Sequence, residues 1–137
     1  MSDSYFSIIP KTRNFPANKE KAASIVKWLC DQNIIQPEMS DCILSSSAGY
    51  AIAVGAKAVV KEPEYLPFDL TTNGLEVITE MTVFHQGEFT DEDDENLQLP
   101  ETDLGFTFWN WPEPTDEFVK DFSEQLGVEV QVMIGRI

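Results

Sequence analysis

Two spacings of apolar residues, one near 3.6 and one of 2, succeed each other along the chain, and their order predicts its elements. Tyr5 to Ile9 form a short β-prone segment stopped by Pro10. After a turn-rich stretch, Ala22, Ile25, Val26, Leu29 and Cys30 recur at helical spacing behind Asn18, a good N-cap, with Lys19, Lys27 and Asp31 elsewhere on the wheel. This predicts a first helix, with Trp28 on the border of its apolar arc as a flanking core residue.

From Leu75 the period falls to two. Leu75, Val77, Thr79, Met81 and Val83 share one face and Glu76, Ile78, Glu80, Thr82 and Phe84 the other, which predicts one long strand. Phe106 and Phe108 alternate with Thr107, Trp109 and Trp111 in a second strand that ends before Pro112 and Pro114 and is expected to pair with the first as a hairpin. Thr115 then caps a second helix with Asp116 and Glu117 in its first turn, where the helix dipole favours negative charge. Phe118, Val119, Phe122 and Leu126 line one face of that helix, and Gly127 closes it. Val128, Val130, Val132 and Ile134 alternate with Glu129, Gln131 and Met133 in a final half-buried strand.

Residues 34–72 follow neither period cleanly. Ala51, Ala53, Ala56 and Ala58 suit a helix, while Gly49 and Gly55 interrupt one. The reading adopted is a small hairpin, with Tyr50, Ile52 and Val54 leading to a turn at Gly55-Ala56 and Lys57 to Val60 returning. Pro63 and Pro67 then carry an extended linker to an Asn73-Gly74 turn.

Strand, helix, strand, strand, helix, strand is the order of an α+β, ferredoxin-like (split βαβ) two-layer sandwich, with residues 34–72 inserted before the second strand. At 137 residues the chain is expected to form a single domain, 1–137. Two helices on one face of an antiparallel sheet leave the other face open. With Phe106, Phe108 and the valines of the last strand turned to the helices, Trp109, Trp111, Gln131 and Met133 face away. A patch of that kind is rarely left bare, so the insert as a lid, a second copy or a ligand is expected over it.

Charge changes this picture more than composition does. Nine Lys+Arg against 24 Asp+Glu give −15, which opposes a direct grip on nucleic acid. The excess is not spread evenly: residues 1–61 carry a net +2 and residues 62–137 a net −17. No Lys or Arg occurs between Lys61 and Lys120, an interval that holds the run Asp91, Glu92, Asp93, Asp94 and Glu95. Like charges repel, so Gly87 to Asp103 are expected to form an exposed acidic loop, serving either solubility alone or the docking of a basic partner. Met1 to Pro10 contain no basic segment or apolar run of the secretory type, and no apolar stretch has the length of a membrane span, so a cytoplasmic protein without membrane association is expected. In that compartment Cys30 and Cys42 are expected to be thiols.

The chemistry that the sequence could carry is sparse. His85 is the lone histidine, so any Ser/His/Asp or Cys/His arrangement must use it as base, and no nucleophile-elbow pattern surrounds a serine. Neither a C-x-x-C nor an H-E-x-x-H pair is present to fix zinc, and Gly49 and Gly55 fit no phosphate-cradling pattern. Asp91, Asp93 and Glu95 alternate as calcium ligands would, but Asn96 stands where the tight loop wants Gly and Thr102 where a bidentate Glu belongs. No metal and no cofactor is expected.

These readings favour a non-catalytic protein-interaction domain that docks a basic protein through an acidic surface, as an inhibitor, an immunity-type antidote or a nucleic-acid mimic would. Asp91, Glu92, Asp93, Asp94 and Glu95 would supply the field and Trp109 and Trp111 the anchors. One alternative is a small-molecule module or small enzyme with a pocket of His85, Tyr50 and Trp109 between the insert and the open sheet face. The other is a structural homo-oligomer, such as a homodimer with the tryptophans at a two-fold interface.

Overall fold

A computed structural model describes residues 4–40, 49–65, 74–84 and 101–136. His85, Cys42, Asp91, Glu92, Asp93, Asp94 and Glu95 lie outside the described residues, as do Pro67 and Asn73. The elements are β1 (Ser4–Pro10), α1 (Asn18–Asp31), β2 (Ile35–Ser40), β3 (Gly49–Ile52), β4 (Gly74–Ile78), β5 (Thr82–Val83), β6 (Glu101–Thr102), β7 (Gly105–Trp109), α2 (Asp116–Leu126) and β8 (Val130–Arg136). They make an α+β fold in which two helices stand against a six-stranded sheet of order β2-β3-β4-β7-β1-β8, with every pairing antiparallel. β5 and β6 form a separate two-stranded ladder.

The register explains the core. Phe6 sits opposite Phe108 and Ile8 opposite Phe106, while Leu75 pairs with Phe108 from the other side, so one face of the sheet is a band of large apolar groups. Both helices cover this band. Ile25 and Leu29 of α1 and Phe118, Phe122 and Leu126 of α2 are buried in the same cluster. Each such side chain contributes about 1.5–3 kcal/mol on burial. Trp28 joins the helices, with its ring stacked on Phe118 at 6.0 Å and edge-on to Phe122 at 5.8 Å. It is the half-buried flanking residue that its place on the wheel predicts.

α2 starts and stops where local chemistry says it should. The Thr115 hydroxyl accepts the Phe118 N–H at 3.1 Å, and Gly127 ends the helix at φ 87°. α1 begins differently. Ala17, at φ 54°, precedes the first turn, and Asn18 lies inside it instead of capping it. The Asn18 amide donates to the carbonyls of Thr79 and Asp103, tying the helix start to two distant segments.

That tie accompanies a correction to the long strand. Alternation runs on through residue 84, but the ladder stops at Ile78, and Thr79 to Met81 leave it. The chain then crosses the face of the sheet that carries no helix, where Phe84 is buried with Ile9 and Met133. Gly105 makes room for it, because a Cβ there would lie 2.3 Å from the Phe84 ring. The β5–β6 ladder anchors the crossing segment. Glu101 pairs with Arg13 at 2.7 Å and the Asp103 carboxylate accepts the Phe15 N–H at 2.8 Å, so residues 101–103 are not part of the exposed acidic loop read over 87–103, whose other residues lie outside the described ones.

The hairpin read at residues 50–60 is also corrected. β3 pairs with β2 and β4, and the residues after it coil into a 3-10 helix, Val54–Ala58. The Gly55 N–H bonds the Asn33 carbonyl at 2.7 Å, and a Cβ at this glycine would lie 2.5 Å from that oxygen. The chain is thus pinned to the end of α1 and does not turn back on itself. Val59 and Lys61 instead exchange backbone hydrogen bonds with the Glu113–Thr115 segment, which sets the start of α2. The described part of the insert widens the sheet by two strands and does not lie over its helix-free face.

Candidate functional site

The structure separates the residues expected to act together. Trp109 lies on the helix-free face, where its indole N–H donates to Glu76 Oε1 at 3.0 Å and its ring meets Tyr5 at 4.8 Å between centroids. Burial pushes the Tyr5 hydroxyl above its ordinary pKa. Trp111 does not share that face. Asn110 adopts φ 63°, which breaks the strand alternation and turns the next side chain to the helix side. There Trp111 is 3% exposed and packs on Phe108 at 4.9 Å and Phe6 at 6.3 Å, so it is a core residue and not an anchor for a partner.

Of the alternative pocket, Tyr50 and Trp109 are not brought together, and His85 lies outside the described residues. Tyr50 pairs with Leu75 and leans on α1, lining a hollow with Ala22, Val26 and Val77, on the opposite side of the sheet from Trp109. What surrounds Trp109 is a cleft of about 150 Å³ bounded by Tyr5, Glu76, Thr82, Phe84 and Thr107. Small-molecule sites are commonly of roughly 300–1,000 Å³, so this cleft is small for one. Its floor is closed by a hydrogen bond of 2.8 Å between the Ser7 and Thr107 hydroxyls. Burial, and next the neighbouring Asp31, pushes the Cys30 thiol above its ordinary pKa, which opposes formation of a nucleophilic thiolate. Among the described residues, no group of three or more His, Cys, Asp or Glu is placed to hold a metal ion. No helix there is long and apolar enough to cross a membrane.

A larger concavity lies elsewhere, between α2 and β8. It measures about 550 Å³ and has an apolar floor of Val119, Val130, Val132 and Ile134. Glu113, Asp116, Glu124 and Glu129 stand on its rim with Lys11 and Lys120. The order of elements builds it. α2 buries Phe118, Phe122 and Leu126 against the sheet, which leaves Glu117, Lys120, Asp121 and Glu124 outward, and Gly127 returns the chain directly into β8 beside the helix. β8 is the last strand of the sheet, bonded to β1 on one side.

Charge at the groove is partly balanced. Lys11 lies 3.8 Å from Glu129, and Lys61 lies 3.5 Å from Glu113 and 3.8 Å from Asp116. Pairs this exposed contribute at most about 1 kcal/mol each. Glu117, Asp121 and Glu124 have no ion pair among the described residues, so the outer side of α2, with Lys120 among them, keeps a net negative field. From the sequence only Asp116 and Glu117 stood out here, as first-turn acids of α2, and the apolar trough beside them depends on β8 lying at the edge, which no local pattern encodes. The chain matches no protein-family model, no curated protein and no solved structure.

Proposed function

We propose that this chain is a non-catalytic protein-interaction domain that docks a basic protein partner through an acidic surface. The observation that carries the reading is the α2–β8 groove, an apolar floor of Val119, Val130, Val132 and Ile134 on whose border Glu113, Asp116, Glu124 and Glu129 outnumber Lys11 and Lys120. Apolar contact supplies affinity, while surrounding carboxylates raise the encounter rate with a cationic surface and select against acidic ones. The run Asp91 to Glu95 adds five carboxylates to the chain's negative charge, and Trp109 offers a second, half-exposed aromatic contact.

We also read the fold as ferredoxin-like. The order β4-β7-β1-β8, with α1 after β1 and α2 between β7 and β8, supports this, and β2 and β3 from the insert then extend the sheet beyond β4.

The test is capture from a lysate of the source cells at low and moderate salt, followed by identification and measured stoichiometry of what is retained. One basic protein should be held at low salt and released as the screening length falls to about 8 Å near physiological ionic strength. It should be lost with Glu117→Gln/Asp121→Asn/Glu124→Gln, and weakened when Asp91 to Glu95 are changed to Asn or Gln. A mixture of basic proteins retained equally by every variant would overturn the reading.

A further inference from the structure

The backbone of β8 defines how a partner would seat in the groove. Lys11 N–H bonds the Glu129 carbonyl at 3.0 Å, and the two residues continue the register in which Pro10 faces Val130 and Ile9 faces Gln131. Directly opposed residues of an antiparallel pair alternate between those that exchange hydrogen bonds and those that do not. Gln131 and Met133 are therefore bonded to Ile9 and Ser7, and the N–H and C=O groups of Val130, Val132 and Ile134 point away from β1. Pro10 fits this phase, since it stands at a position where no N–H is required toward β8. Among the described residues no strand pairs with the outer side of β8.

The same three residues whose backbone points outward also turn their side chains into the groove. Ile134 is 45% exposed there. A chain laid along this edge would thus meet hydrogen-bonding groups and an apolar floor at every second residue, with the carboxylates of α2 alongside.

We propose that β8 is a strand-addition site, and that its occupant is an extended segment of a basic protein whose groove-facing side chains mix apolar residues with arginine or lysine. This rests on the acidic-docking reading above and specifies its geometry. Charge selects this occupant over a second copy. Two β8 strands paired about a two-fold axis would bring together two rims on which Glu113, Asp116, Glu124 and Glu129 outnumber Lys11 and Lys120, on chains of net charge −15. An added basic strand offsets that excess of carboxylates instead. Sheet-edge addition draws affinity from the main chain and selectivity from alternate side chains, which suits a trough of this form.

The probe is a blocked nonapeptide in which every second residue is threonine and the residues between alternate arginine and valine, with a counterpart bearing glutamate for arginine. Amide exchange is followed by NMR on the isotopically labelled full chain. The arginine peptide should slow exchange at Val130, Val132 and Ile134 and leave Gln131 and Met133, already bonded to β1, unchanged. Ile134→Pro, which removes one outward N–H, should weaken binding about tenfold or more, whereas Ile134→Thr, which keeps it, should weaken binding by less than about threefold. Equal binding to both Ile134 variants, with changes confined to α2, would overturn strand addition and leave acidic docking standing. Binding of the arginine peptide no tighter than that of the glutamate peptide would overturn both. A dimer of the chain alone with Val130, Val132 and Ile134 already protected would overturn the proposal in favour of a second copy.

Discussion

At one border of the sheet β2 carries Pro37 and a register irregularity between Ile35 and Met39, whereas at the other border β8 runs against β1 over seven residues in unbroken register. Both strands expose a side with no neighbour among the described residues. Exposed strand edges invite pairing with other chains, and proline or a bulge is a common way to prevent it. The β2 border has both devices and the β8 border neither. The difference teaches that an open edge in this sheet is a property of position and neighbours: β2 is reached from α1 through a tight turn, while β8 returns beside a helix whose outer side is acidic.

The sharpest way to break the comparison is to place proline in β8 at two adjacent positions. Met133→Pro removes an N–H bonded toward β1 and disturbs a buried side chain, and is expected to cost about 3 kcal/mol or more in urea unfolding. Ile134→Pro, with its N–H facing outward, is expected to cost only about 1 kcal/mol. Equal losses would mean that the outer side of β8 is not open, and a larger loss for Ile134→Pro that the hydrogen-bonding phase of the strand is reversed.

A middle-sized effect is expected at the other border. Gly55→Ala forces a Cβ to within 2.5 Å of the Asn33 carbonyl, a backbone atom that cannot swing aside. The expected loss is about 1–3 kcal/mol, with amide exchange accelerated in β2 and β3 ahead of β8. Uniform acceleration through all strands would show that the two borders do not loosen independently. The smallest stability effect belongs to Pro37→Val, within about 0.5 kcal/mol, because the residue is exposed. Its signature is instead new concentration-dependent association by sedimentation, and its absence would mean that the register irregularity alone protects β2.

How much of the fold was legible in the sequence follows from where the determinants lie. α2 was readable to its ends because Thr115, Asp116, Glu117 and Gly127 act on their immediate neighbours. β1 was readable from its β-prone residues up to Pro10, and β7 and β8 because alternation over four or more residues has one natural outcome in a half-buried sheet. β2 was not, since Pro37 argues against a strand unless the strand is at an edge, and that is known only once β3 is in place. The break after Ile78 was hidden because Met81 and Val83 keep the alternation while the Asn18 side chain, 61 residues away, holds the Thr79 carbonyl. Of the site, only the first-turn acids Asp116 and Glu117 of α2 were picked out, and Trp109 was set on the helix-free face where it lies. The groove was not visible, because it arises from the place of β8 beyond β1.

The left-handed turn at Asn110 has an optical consequence. It sends two tryptophans only two positions apart to opposite sides of the sheet, one beside a carboxylate and half in water, the other sealed among phenylalanine rings. With Trp28 wedged between the helices, the three indoles of the chain sit in three distinct polarities, so that its intrinsic fluorescence is a composite of separate emitters, each tied to a different part of the fold.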